Sequence, residues 1–247
     1  MNDLNPSLFP RLEPLLGRVA RPVQYVGGEV NSVHKDWAGV EVRWCLLFPD
    51  AYAVGQPNQG LAILYEVLNE RDWILAERSY AIWPDLACLM RAAGVPQFSW
   101  ETTRAVRDFD IVGVSLSTEL GFTNVLEALD LAGIPLHACD RGEGDPLVIV
   151  GGHVATNPEP IADFIDAAVL GDGEQAVLDI SELVREAKRT GLNRSETLRS
   201  LAMTGRVYVP ALYVVTYHDD KTIAAVTPVD AQIPYSVRKY TLTDLDA

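Results

Sequence analysis

From about residue 42 the chain alternates short runs that are apolar on both faces with amphipathic stretches of helical spacing. That is the pattern of strands alternating with helices over a parallel sheet. Residues 42–48 form the first run, apolar enough for a central strand buried on both sides, and Pro49 and Asp50 end it. After a loop holding Gly55, Pro57 and Gly60, the residues Leu61, Ile63, Leu64, Val67 and Leu68 recur at helical spacing behind Asn58, a residue type suited to cap a helix. Residues 74–81 read as a second strand. Residues 85–93 read as a second helix, with Pro84 fit for its first turn and Gly94 for its end.

The alternation continues through a third strand at 110–117 with Gly113 in its middle, a helix at 123–132 closed by Gly133 and Pro135, and a fourth strand at 147–150. A fifth strand, 166–170, ends at Gly171, Asp172 and Gly173 before a helix over 174–189. Beyond Thr190 the pattern changes to a short polar helix, 195–203, and β-rich sequence at 207–209, 213–217 and 222–227, with His218, Asp219 and Asp220 turning the last two into a hairpin. The expected fold is α/β, a doubly wound (flavodoxin- or Rossmann-like) five-stranded parallel sheet with a small C-terminal β-rich appendage. Its parts would be an N-terminal extension over 1–38, the α/β domain over 39–190, and a helix plus hairpin over 191–247.

Composition narrows the partners. A 247-residue chain that is 48% hydrophobic can bury a substantial core. It has no run of about 18 apolar residues to span a membrane, and its first twenty residues are broken by Asn5, Pro6, Pro10, Glu13 and Pro14, unlike a signal peptide. A cytoplasmic protein without a membrane partner is expected. The net charge of −14, with basic residues scattered, opposes binding to a phosphate backbone, so nucleic acid is not an expected partner. Cys45, Cys88 and Cys139 lack metal-ligand spacing; two lie in apolar segments and read as buried free thiols. Most of the five tryptophans read as packing residues.

In open α/β sheets, ligands bind beyond the carboxyl ends of the strands where strand order reverses. Those ends carry Asp50, Tyr52 and Gly55 after the first strand, Ser115, Ser117 and Thr118 after the third, Gly151, Gly152 and His153 after the fourth, and Gly171, Asp172, Gly173 and Glu174 after the fifth. A single glycine loop says little, because every strand must turn into a helix. The joint pattern says more. No Ser/His or Cys/His arrangement points to a hydrolase, and no phosphate-binding G-x-x-x-x-G-K-[ST] segment is present.

Asp50-x-Tyr52-x-x-Gly55, Ser115-Leu116-Ser117 and Gly151-Gly152 resemble the D-x-H-x-x-G, S-x-L and G-G marks of cobalamin-binding domains. The phrases FPDAYAVGQPNQGLAILYEVLN, YAIWPDL, VGVSLSTELGFTNVLEALDLAGIPL, VIVGGHVATNPEPIADFIDAAVLGDGE and LTDLDA are similar to a bacterial family in which this region precedes a radical S-adenosylmethionine (SAM) domain. The similarity spans nearly the whole chain. It implies an accessory module, not itself catalytic, that holds cobalamin across the carboxyl edge and presents it to a radical SAM domain of the same polypeptide.

The places of these residues at the strand ends suggest roles, most of them beside a plainer one. Asp50 would accept a hydrogen bond from a ligand amide or orient Tyr52, or simply cap its loop. Ser115, Ser117 and Thr118 would bond a nucleotide tail, or cap the next helix. Gly151 and Gly152 would let a planar ligand approach the backbone. His153 would ligate cobalt, or stand solvated. Asp172 and Glu174 already supply the charge that a helix start favours, so they read as a cap and a contact to the catalytic domain rather than a phosphate site.

Two departures matter. Tyr52 stands where the motif has its cobalt-ligating histidine, and a phenol is a poor neutral donor beside imidazole. Either cobalamin binds with Tyr52 merely near its lower face, or the module is a degenerate one that no longer holds it and serves structure or interaction. A flavodoxin-like site for another nucleotide is a third reading. The C-x-x-x-C-x-x-C segment is absent, so the [4Fe–4S] cluster and S-adenosylmethionine are expected in a domain after residue 247.

Overall fold

The computed structural model describes residues 7–242 and contains a six-stranded sheet and a separate two-stranded one. Strands β1 (Val42–Phe48), β2 (Ile74–Tyr80), β3 (Ile111–Ser115), β4 (Leu147–Gly151) and β5 (Ala167–Val169) run parallel in the spatial order β2-β1-β3-β4-β5. The sheet has six strands rather than five because β6 (Val207–Tyr208) pairs antiparallel with β5, Ala168 opposite Tyr208 and Val169 opposite Val207. A strand of two residues carries no period from which a partner can be read. The hairpin of β7 (Tyr213–Tyr217) and β8 (Ile223–Pro228) stands apart, as the sequence predicts.

Among the described residues seven α-helices accompany these strands: α1 (Phe9–Leu16), α2 (Tyr52–Gly55), α3 (Gln59–Asn69), α4 (Pro84–Ala93), α5 (Phe122–Ala132), α6 (Gly173–Thr190) and α7 (Arg194–Met203). Asn58 caps α3 by accepting from the Leu61 N–H at 2.9 Å, and Asn193 with Glu196 closes a capping box on α7. Connections between parallel strands cross over right-handed as a rule, which sends helices to both faces of a sheet whose order reverses as this one does. On one face α3 packs with α6, whose Ser181 accepts the indole N–H of Trp44 at 2.8 Å. On the other, α4 and α5 are joined by Arg91, which pairs with Glu127 and Asp130. Arg194 of α7 reaches Asp166 at 2.7 Å, sharing that carboxylate with the buried Arg141 and so packing α7 onto the sheet body.

Cys45 on β1 is buried as expected, but Cys88 and Cys139 are exposed. The helical period of α4 puts Leu86, Ala87 and Met90 inward and turns Cys88 out. Trp44 and Trp100 lie in the core, Trp37 and Trp73 pack against it, and Trp83 is exposed. No helix of the described residues is long and apolar enough to cross a membrane.

The outer edge of β2 is covered, which removes a bare row of backbone donors and acceptors. Trp100 N–H donates to the Arg78 carbonyl at 2.8 Å, Arg78 N–H donates to Glu101 at 2.7 Å, and the Gln97 amide donates to the Tyr80 carbonyl at 2.8 Å. Every residue of β2 is buried, including Glu77, Arg78 and Ser79. Glu77 accepts from the hydroxyls of Ser99 (2.5 Å) and Thr102 (2.7 Å), and Glu101 binds Arg78 Nε at 2.7 Å. The N-terminal segment is strapped over this region. Lys35 Nζ donates to the carbonyls of Asn69, Arg71 and Ile74 at 2.7, 2.8 and 2.6 Å, and Trp100 Nε1 donates to the Gln24 carbonyl at 2.8 Å.

The Glu101 side chain is wholly buried, and burial pushes its carboxyl from 4.5 up to about 7 against the pull of Arg78. A folded-state value above the unfolded one means that the native chain holds this proton more tightly, so the contribution to stability is complete at low pH and is lost as pH rises through the window from about 4.5 to 7. The full change is roughly 3 kcal/mol. Urea midpoints of wild type and Glu101→Gln should therefore diverge with rising pH, the wild type falling relative to the variant; parallel curves would contradict the assignment.

Candidate functional site

Strand order reverses between β1 and β3, and a crevice of about 310 Å³ opens there at the carboxyl edge. Its floor is the sheet surface of Trp44, Leu46, Gly113, Ile149 and Val169, and its roof is Leu61 and Leu64 of α3 with Val177 and Ile180 of α6. Trp44 is pinned by its bond to Ser181, and Gly113 must be small, since a Cβ there would lie 2.9 Å from the Trp44 ring. The mouth is polar, with Asn58, Ser115, Ser117, His153 and Glu174. A deep apolar slot with a polar rim suits a flat unsaturated ring that enters edge-on and leaves a polar linker outside.

Of the sequence candidates, Ser115, Ser117, Gly151, Gly152 and His153 meet at this crevice. The two glycines differ in role. Around Gly151 a Cβ would meet nothing within 4 Å, so the crevice is open at that point. Gly152 has φ +97°, and a Cβ there would strike the Leu116 carbonyl, so its smallness serves the backbone. None of Ser115, Ser117 and Thr118 acts as a helix cap, because neither the short turn at Glu119–Gly121 nor α5 has a side-chain cap.

Asp50, Tyr52, Gly55 and Thr118 do not line the crevice. Asp50 accepts from the Ala51 N–H at 2.6 Å and faces a separate groove toward α4, beside Trp83 and Cys88. Gly55 is packed under Tyr80, whose ring a Cβ would meet at 2.5 Å. Tyr52 donates to Glu29 at 2.5 Å, with its ring edge-on to Tyr80 at 5.5 Å and stacked on Trp100 at 6.4 Å. Burial first, and then the Glu29 carboxylate, push its phenol up to about 12. Glu29 lies 23 residues away in the N-terminal strap, and no local pattern announces that partnership. The roof residues of α3 and α6 also escaped the loop-based reading; their signal was the apolar face of each helix.

The loop after β5 does two things. Gly171, Gly173 and Glu174 border the crevice, while Gly171 and Asp172 hold the last described residues of the chain. Tyr240 N–H donates to the Leu170 carbonyl at 2.7 Å, Asp172 N–H to the Tyr240 carbonyl at 3.1 Å, and Leu242 N–H to Asp172 Oδ2 at 2.7 Å. Gly171, at φ +93°, lies so close under the Tyr240 carbonyl that no side chain fits. Of the phrase LTDLDA, residues 243–247 lie outside the described residues. Among the described residues no three His, Cys, Asp or Glu side chains are grouped to hold a metal ion.

Fold and crevice together define an α/β module with a ligand-sized slot at the carboxyl edge of its sheet. The family described as radical SAM proteins, N-terminal, matches residues 60–210, more than half of the chain, and the chain belongs to it. The match takes in the crevice-lining residues of β3, β4, β5, α3 and α6, and it implies a radical SAM catalytic domain in the parent polypeptide. No curated protein matches the chain.

The two adjacent glycines should separate in stability measurements. Gly152→Ala should lower stability by about 1–3 kcal/mol, from positive-φ strain and the Leu116 contact. Gly151→Ala should stay within about 0.5 kcal/mol of wild type. Equal shifts in urea midpoint would refute the division of roles.

Proposed function

We propose that the chain is the cofactor-holding amino-terminal module of a radical SAM protein, and that its crevice takes the nucleotide tail of cobalamin while the corrin lies across the mouth, toward the catalytic domain of the same polypeptide. The observation that carries this reading is the meeting of crevice and chain exit at one turn, 170–173. A cofactor seated at that mouth would lie beside the polypeptide leaving Leu242.

The residues present fit a tail better than a macrocycle. A slot of about 310 Å³ with an apolar floor accepts a fused aromatic ring, and the unobstructed Cα of Gly151 gives it room. Ser115, Ser117 and Asn58 would bond the sugar and linker at the rim. The order β2-β1-β3-β4-β5 matches the flavodoxin-like doubly wound arrangement, whose ligands sit at the β1/β3 reversal. His153 stands at the mouth whereas Tyr52 is engaged by Glu29, so the imidazole rather than the phenol would be this chain's candidate cobalt ligand. Bound cobalamin would supply a cobalt centre able to carry a methyl group or an electron. The chain's own part is to bind, orient and exclude water. The [4Fe–4S] cluster and S-adenosylmethionine belong, in this reading, to the catalytic domain.

A second reading, a module that kept the fold and serves only structure or interaction, is favoured by the Tyr52–Glu29 bond, which withdraws the motif residue from the crevice. Titration with hydroxocobalamin separates the two. The cofactor reading expects a changed visible spectrum, ligand retained through gel filtration, and at least tenfold weaker binding by Gly151→Leu, which fills the slot. An unchanged spectrum with nothing retained establishes the second reading.

A further inference from the structure

Asp172 occupies the N-cap of α6, from which an aspartate ordinarily accepts a hydrogen bond from first-turn amides. It makes no such bond; its Oδ2 accepts from the Leu242 N–H at 2.7 Å. The 18-residue helix α6 therefore starts with no side-chain cap, and its first residues, Gly173 and Glu174, form part of the crevice wall. One exposed carboxylate thus sits at the start of α6 and serves Leu242 instead of the helix. Its neighbour Gly171 grips Tyr240 through backbone contact alone, and Tyr240 is further held by the Arg206 guanidinium 4.9 Å from its ring centre and by a 3.2 Å bond from its hydroxyl to Asp179 on α6.

We propose that the 170–173 turn is a relay between the crevice and the chain exit, with Asp172 as its two-position element. While Asp172 holds Leu242, the first amides of α6 are free for acceptor atoms of a crevice ligand. When Leu242 is released, Asp172 swings back to cap α6 and takes those amides for itself. A ligand that engages them therefore stabilises the held exit, and a held exit tightens ligand binding by the same factor, because coupling between two equilibria is reciprocal. Occupancy of the crevice would in this way set how firmly Tyr240–Leu242 is held. The ligand half of this inference rests on the crevice being a binding site; the choice made by Asp172 does not.

Amide exchange on the 247-residue chain, read separately at residues 240–242 and 174–175, tests the relay without any ligand. Leu242→Pro deletes the N–H that Asp172 accepts, and Gly171→Ala expels the exit strand through the Tyr240 carbonyl. In both variants residues 240 and 241 should lose protection while 174 and 175 exchange at least fivefold more slowly. Asp172→Ala can neither hold nor cap, so both segments should exchange fast, which distinguishes the relay from general loosening. Lost protection at the exit with no slowing at 174–175 in Leu242→Pro overturns the proposal.

With hydroxocobalamin as probe, exchange at 240–242 in the wild type should slow by about 5- to 150-fold, and Leu242→Pro should bind it more weakly by the same factor. Binding that leaves those amides unchanged also overturns the relay. If hydroxocobalamin does not bind at all, the cofactor reading falls, and the exchange pattern of the three variants still decides whether Asp172 switches.

Discussion

The backbone of Gly152 lies against the Leu116 carbonyl, and this contact holds the ends of β3 and β4 together where the crevice begins. Leu116 N–H donates to the Gly151 carbonyl at 2.8 Å, which extends the β3–β4 ladder one step past the strands, and the positive φ of Gly152 then turns the chain away. With the rear wall set in this way, a slot remains between the sheet face and the helices α3 and α6. Gly171 repeats the arrangement one strand further on, against Tyr240 instead of Leu116. In both places a missing side chain lets two backbone segments touch, and the open volume lies beside that touch.

The opposite side of the sheet is closed by polar rather than apolar means. On the edge strand Glu77 is buried against the hydroxyls of Ser99 and Thr102, Arg78 against Glu101, and Ser79 between the Phe98 carbonyl and the Gln97 amide. The N-terminal strap completes it and draws Tyr52 toward Glu29. Tyr52 and Gly55, after β1, thereby join the edge structure instead of the crevice, although they leave the same end of the sheet as the loops that form the mouth.

Membership in the N-terminal family of radical SAM proteins gives the carboxyl edge its significance. Here the slot and the segment Tyr240–Leu242 share the turn at 170–173. The electrostatic character of the rim agrees: Asp172 and Glu174 place negative charge at the start of α6, so its amides suit neutral acceptors better than a phosphate.

The parallel strands, their helices and the clustering of Ser115, Gly151 and Gly171 at one edge were legible in the chain itself. Each rests on local causes: period two or 3.6 in the apolar residues, a cap such as Asn58, and glycine where the backbone turns. The pairing of Val207 and Tyr208 with β5, the capture of Tyr52 by Glu29, the bond from Leu242 to Asp172 and the meeting of the apolar faces of α3 and α6 over one slot were not legible. Those contacts join residues tens of positions apart, and which acceptor a given donor finds depends on which segments packing brings side by side. A motif position such as Tyr52 therefore carries its residue type from the sequence, while its role is settled only by the neighbour that folding places against it.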